Sequence, residues 1–128
     1  MTNHIIDPAG VAPPAARYAH AVVSESPARL LHTSRIVPTA PDGTAADDVA
    51  GQAEEVWRTI GAVLREADMA AGDIVSVTTY VLPGQDLAAV MAARDRFLDG
   101  SLAASTLVIV PALARPEWLM EIAVVAAR

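Results

Sequence analysis

Cysteine is absent from this chain of 128 residues, which excludes disulfides, thiolate nucleophiles and cysteine-ligated metals. Redox chemistry would therefore need a cofactor, and none is expected. Aromatic residues are scarce at 4%, so the hydrophobic 53% is supplied largely by aliphatic side chains. Basic residues are also few: 9 against 15 acidic ones, for a formal net charge of −6. A phosphate backbone is held by clustered positive charge, so nucleic acid is disfavoured as a partner. No uninterrupted apolar stretch reaches the roughly 18 to 20 residues of a membrane span. Residues 1–8 lack the charged start and apolar core of a signal peptide. A single-domain cytoplasmic protein with no membrane partner is expected, large enough for one core and too short for two.

What the chain has in surplus is apolar surface, with a mean hydropathy of +0.36. Breakers at Asp7-Pro8, Gly10 and Pro13-Pro14 make residues 1–14 a surface arm with room for a short edge strand at 4–6. Residues 17–24 (RYAHAVVS) and 29–35 (RLLHTSR) predict two strands, close enough to form an antiparallel hairpin. Thr44 with Asp47 three residues on reads as a helix start. Val49, Ala53, Val56, Trp57, Ile60, Val63, Leu64 and Ala67 then recur at helical spacing, with Asp48, Gln52, Glu55, Arg58 and Glu66 falling largely elsewhere on the wheel. Residues 74–82 (IVSVTTYVL) form the most strand-like segment, with Ser76, Thr78 and Tyr80 on one face and Val75, Val77, Thr79 and Val81 on the other. A second helix follows through Leu87, Val90, Met91, Arg94, Phe97 and Leu98, closed by Gly100. Two closing strands, 105–110 and 118–125, complete the order.

Each helix is then a crossover that returns the chain to a parallel neighbour, giving one mixed sheet in an α+β domain. Two helices cover only one face of five or six strands. Several strands are apolar on both faces, so the second face must be buried by copies of the same chain. One residue in the last strand breaks the pattern. Alternation puts Glu121 on a face with Leu119, Ala123 and Val125, a lone carboxylate among apolar neighbours. An ionised carboxylate there is costly unless paired, hydrogen-bonded or open to a cleft. Glu121 is therefore the candidate for acid/base chemistry.

Several segments in this order resemble the RidA family, also called YjgF-type or reactive-intermediate deaminases. They are Tyr18 in PPAARYAHAV, Thr33-Ser34 in LLHTSRIVP, Gln52 in the first helix, residues 70–82 (AAGDIVSVTTYVL), and Glu121-Ile122-Ala123 in WLMEIAVVA. The resemblance spans nearly the whole chain. It implies a chorismate-mutase-like fold assembled as a homotrimer, with a central barrel of sheets and clefts between subunits. It also implies hydrolysis of small enamines or imines to a keto acid and ammonia. In that scheme an arginine in the segment here reading LAASTLV grips the substrate carboxylate, and a glutamate matching Glu121 positions or activates water.

The chain departs from the pattern at four places. Ala104 stands where the family reads arginine, and a methyl group replaces none of that residue's donors or charge. Arg35 stands for the usual glycine, Ile36 for glutamine and Met91 for a common asparagine. The resemblance thus implies a cleft lined by Tyr18, Ser34, Arg35, Met91, Ala104, Ser105 and Thr106, with backbone near Ser34 and Thr106 donating hydrogen bonds. The expected substrate is a small, less charged molecule rather than a 2-imino acid. The alternative is a trimer that binds or stabilises without catalysis. Plainer roles compete for each residue: Glu121 as a structural carboxylate, Tyr18 as an edge seal, Arg35 as a solvated strand-end charge. His20 and His32 lack a second ligand type at metal spacing, and Ser105 lacks a recognisable His and Asp, so neither a metal nor a serine nucleophile is expected.

Overall fold

The computed structural model describes residues 2–128, so Met1, the first residue of the expected arm, lies outside the described residues. Strands β1 (Asn3–Ile6) and β2 (Ala21–Ser24) pair antiparallel as a separate ribbon. Strands β3 (Leu30–His32), β4 (Ile74–Val81), β5 (Ala104–Ile109) and β6 (Met120–Ala127) form a mixed sheet in the order β3-β6-β4-β5. Helices α1 (Val49–Glu66) and α2 (Leu87–Leu98) lie on one face of it.

Alternation along the strands decides which side chains meet the helices. From β4, Val77, Thr79 and Val81 turn inward; from β6, Met120, Ile122, Val124 and Ala126 do the same, all at most 4% exposed. They meet Val56, Trp57, Ile60 and Leu64 of α1 and Val90, Ala93 and Leu98 of α2. The two helices touch through Trp57 and Phe97, whose rings stack with centroids 4.8 Å apart. Gly61 makes that approach possible, because a Cβ there would lie 3.2 Å from the Phe97 ring. Among the described residues, no helix covers the outer face of the sheet. Leu30 and Val108, at 59% and 37% exposure, stand on it uncovered.

The structure corrects five sequence expectations. Asp48, not Thr44, caps α1: its backbone is extended and its Oδ1 accepts from the Gly51 amide at 3.0 Å. Thr44 belongs instead to a turn, donating its hydroxyl and amide to Asp42. The expected hairpin between the second and third strands is absent, since β2 pairs with β1 and β3 with β6. The reading of 17–24 as one strand fails with it, and only residues 21–24 are extended in a ladder. The single sheet is thus two sheets. The α2 crossover does return the chain to a parallel neighbour, β4 beside β5. The α1 crossover does not, because β6 inserts between β3 and β4 and pairs antiparallel with both.

Gln52 also departs from expectation. It lies on α1 among residues read as the polar side of the wheel, yet it is 0% exposed. Its amide nitrogen donates to the Ala46 and Glu117 carbonyls, both at 2.8 Å, and its oxygen accepts from the Leu119 amide at 2.8 Å. One side chain thereby ties the start of α1 to the entry into β6. That entry places Glu121.

Candidate functional site: an acid and a cation on the uncovered sheet face

Glu121 is the second residue of β6, and alternation turns it away from the helices. It is nevertheless only 5% exposed, because neighbouring strands crowd it. Across the ladder it pairs with Tyr80 of β4, which pairs in turn with Val108 of β5. The adjacent row on the same face runs Ala123, Thr78, Thr106, and the next runs Val125, Ser76, Ala104. Ala104 and Thr106 therefore share the face of Glu121. Among the described residues no side chain hydrogen-bonds or ion-pairs with its carboxyl.

Arg35 reaches this face through a local irregularity. Thr33 is bonded to Val124 of β6, its amide donating to the Val124 carbonyl at 3.1 Å and its Oγ1 accepting from the Val124 amide at 3.0 Å. Ile36 is bonded to Ile122 in both directions, at 2.7 and 3.2 Å. Between these anchors lie Ser34 and Arg35, opposite the single residue Ala123. Two residues against one is a bulge, and a bulge re-aims side chains. Ser34 and Arg35 are both exposed, and the Arg35 guanidinium crosses β6 to sit 4.0 Å above the centre of the Tyr80 ring.

The electrostatics follow from this geometry. Burial pushes the Glu121 carboxyl above the ordinary carboxylate range, and the Arg35 charge offsets part of that rise. A carboxyl whose folded pKa is raised stabilises the fold below the unfolded pKa, and that contribution is lost as pH rises through the folded value. Stability should therefore fall as pH climbs out of the ordinary carboxylate range, and Glu121→Gln should flatten that limb. Thermal unfolding of both proteins across this range checks it; parallel curves would refute the assignment.

Other expected residues go elsewhere. Ser105 points to the helix side, where its Oγ accepts from Arg94 Nη1 at 3.2 Å. Met91 is half-buried on α2, in the helix layer. The single chain thus does not bring Ser105 or Met91 to Glu121. Tyr18 lies beside the start of β5: the neighbouring Ala19 donates to the Ala103 carbonyl at 2.9 Å, and the Tyr18 hydroxyl accepts from the Ala15 amide at 3.2 Å. Its ring meets His20 edge-on at 6.4 Å.

Two residues escaped the sequence reading. Tyr80 lies on the face expected for it, but its partner Glu121 follows only from β4 and β6 being neighbours. Arg94 fell on the apolar stripe of α2 and is buried there at 7% exposure, donating through Nε and Nη2 to Asp95. An arginine on such a stripe was the available signal. Among the described residues no three His, Cys, Asp or Glu side chains converge as a metal site, and no helix is long and apolar enough to cross a membrane.

Solved structures with this arrangement are numerous. The conserved Rid family protein YyfB from Yersinia pestis is 31% identical over 100% of both chains, with a TM-score of 0.90. The YjgF gene product of E. coli is 29% identical over 94% of this chain and 92% of its own, with a TM-score of 0.71. E. coli TdcF, solved with bound serine, is 23% identical over 98% of each chain, with a TM-score of 0.72. A search of curated protein sequences finds no significant match. The sequence model described as endoribonuclease L-PSP matches residues 9–128. Nearly the whole chain is covered by that match and by the two-helix, mixed-sheet fold, and the protein belongs to this family, that of the Rid and YjgF proteins.

Proposed function

We propose that the protein is a homotrimer that closes its uncovered sheet faces against one another and processes a small metabolite in the clefts between copies. The reaction is hydrolysis of an enamine or imine, with Glu121 as acid and base. The observation that carries this reading is a carboxyl only 5% exposed, on the uncovered face, with no protein hydrogen-bond donor among the described residues. Its raised pKa supports the role, since a protonated carboxyl can give its proton to the imine nitrogen. The resulting carboxylate then takes a proton from the attacking water. Glu121 returns that proton to the amine nitrogen and takes one from the carbinolamine hydroxyl, so that the carbon–nitrogen bond breaks, ammonia leaves and a carbonyl product remains. No cofactor takes part in this scheme, and a cytoplasmic setting suits it.

Ala104 shares the face but offers only a methyl group, so a substrate carboxylate at that end would be left without a partner. This favours a substrate uncharged at the β5 side. It also supports the competing reading, a trimer that binds a small molecule without turning it over. The family description names an endoribonuclease, but a net charge of −6 disfavours an RNA substrate. Ammonia release from a neutral imine generated in situ separates catalysis from binding. Sedimentation at working concentration tests the assembly: a stable single subunit would remove the cleft and the proposal together.

A further inference from the structure

Arg35 is exposed on the uncovered sheet face. Among the described residues its guanidinium makes no ion pair and no hydrogen bond. What holds it is the Tyr80 ring, 4.0 Å away. A ring face orients a guanidinium while leaving its five N–H donors unused. The bulge at Ser34 and Arg35 prevents the side chain from continuing the alternation of β3 and sends it across β6. The result is an exposed fork of donors beside a buried carboxyl, on a face that also carries Ser76, Thr78, Ala104, Thr106 and Ala123.

Resting on the cleft reading above, we propose that Arg35, seated on Tyr80 beside Glu121, anchors a small organic carboxylate, and that this anion is taken up together with a proton on Glu121. A planar fork matches a carboxylate in bidentate geometry, and one cation balances one negative charge. A phosphate would bring more charge than this single arginine neutralises. The coupling follows from the neighbours of Glu121. From the segment after β3 comes Arg35; from β4, Tyr80; from β3, His32, whose cross-strand partner Val125 lies four residues along β6. Thr106 and Val108 of β5 do not titrate, and the helices lie on the other side of the sheet. Arg35 is thus the cation that favours the ionised form of Glu121. An incoming carboxylate neutralises that cation and adds a like charge, so Glu121 binds a proton from solvent as the anion docks.

The site therefore selects a molecule whose charged end lies toward β3 and whose uncharged end lies over Ala104. This inverts the arrangement expected where an arginine occupies position 104.

Pyruvate is the probe, with pyruvamide as its uncharged counterpart, titrated calorimetrically into the full chain in two buffers of different ionisation heat between about pH 5 and pH 8. Pyruvate should bind with net proton uptake, and its affinity should fall with rising pH by up to about tenfold per unit. Arg35→Ala should weaken pyruvate by roughly tenfold or more and leave pyruvamide unchanged. Arg35→Lys should retain part of the affinity, and Tyr80→Leu should lose part of it. Glu121→Gln should bind pyruvate with no proton uptake and no pH dependence. No binding by the wild-type chain, equal pyruvate affinity in Arg35→Ala, or uptake that survives Glu121→Gln would each overturn the proposal. Arg35-dependent binding without ammonia release from any imine would refute the catalytic reading and leave the anion site standing.

Discussion

Glu121→Gln is expected to lower ammonia release from a neutral imine by roughly two to four orders of magnitude, the usual range for losing a positioned proton donor and acceptor. Glutamine keeps the size and planar shape of the side chain and cannot give up or accept the catalytic proton. The fold should be unaffected, because among the described residues the carboxyl has no protein partner to lose. Uncharged glutamine also removes the penalty of burying a carboxylate, so this variant should unfold at a temperature no lower than wild type near neutral pH. That pairing separates chemistry from structure: a structural carboxylate would lose stability and activity together, whereas a proton carrier loses activity alone. Steady-state ammonia release and thermal unfolding on the same preparations decide it. Turnover within a few-fold of wild type would remove Glu121 from the reaction.

The largest loss of stability is expected from Gln52→Leu. Leucine fits the space approximately but leaves the Leu119 amide and the Ala46 and Glu117 carbonyls without the partners they have now. An unsatisfied buried polar group costs about 1 to 3 kcal/mol, and water can reach the loop carbonyls more readily than the buried amide. A destabilisation of roughly 3 to 5 kcal/mol is therefore expected, measured by denaturant unfolding. The effect should reach the site. Residues 117–119 lead directly into Met120 and Glu121, so loosening them releases the end of β6 that sets the position of the acid. Gln52→Glu is the sharper control, since it keeps the acceptor for Leu119 and replaces two donated bonds with repulsion against carbonyls. A loss under about 1 kcal/mol in both variants would show that α1 and the β6 entry are held together by apolar packing alone.

Much of the fold was legible because helical and strand periodicities are local. The stripe from Val49 to Leu64, the β4 segment and the α2 segment all follow from which neighbours share a face, which depends on spacing of a few residues. The expected span for β4 differs from the observed strand by one residue at its end. What failed was pairing. Nothing in residues 17–35 distinguishes a hairpin from two strands that turn to other partners, because β-pairing is decided by distant segments. Here β1 supplies the partner for β2, and β6, nearly a hundred residues away, supplies the partner for β3. Gln52 departs from its expected place for a related reason. An amide on a helix face looks solvated until the loop carbonyls that need it are in place.

The candidate site divides along the same line. Glu121 stood out in sequence as a carboxylate in an apolar strand, and Ala104 and Arg35 stood out against the family pattern. Their relation did not. Residues 35, 80 and 121 are far apart in the chain, and only the β3-β6-β4 order, the cross-strand pairing of Tyr80 with Glu121 and the bulge opposite Ala123 put them together.

By itself, the sequence determined the two helices, most of the strand segments, the absence of cysteine chemistry and the one carboxylate set in an apolar strand, since each depends on side-chain type or short-range spacing. The tertiary structure decided that β6 runs through the middle of the sheet, that Gln52 is a buried tie and that Arg35 lies on Tyr80 beside Glu121. These depend on ladder register, and register is set by the simultaneous burial of segments that the chain itself keeps far apart.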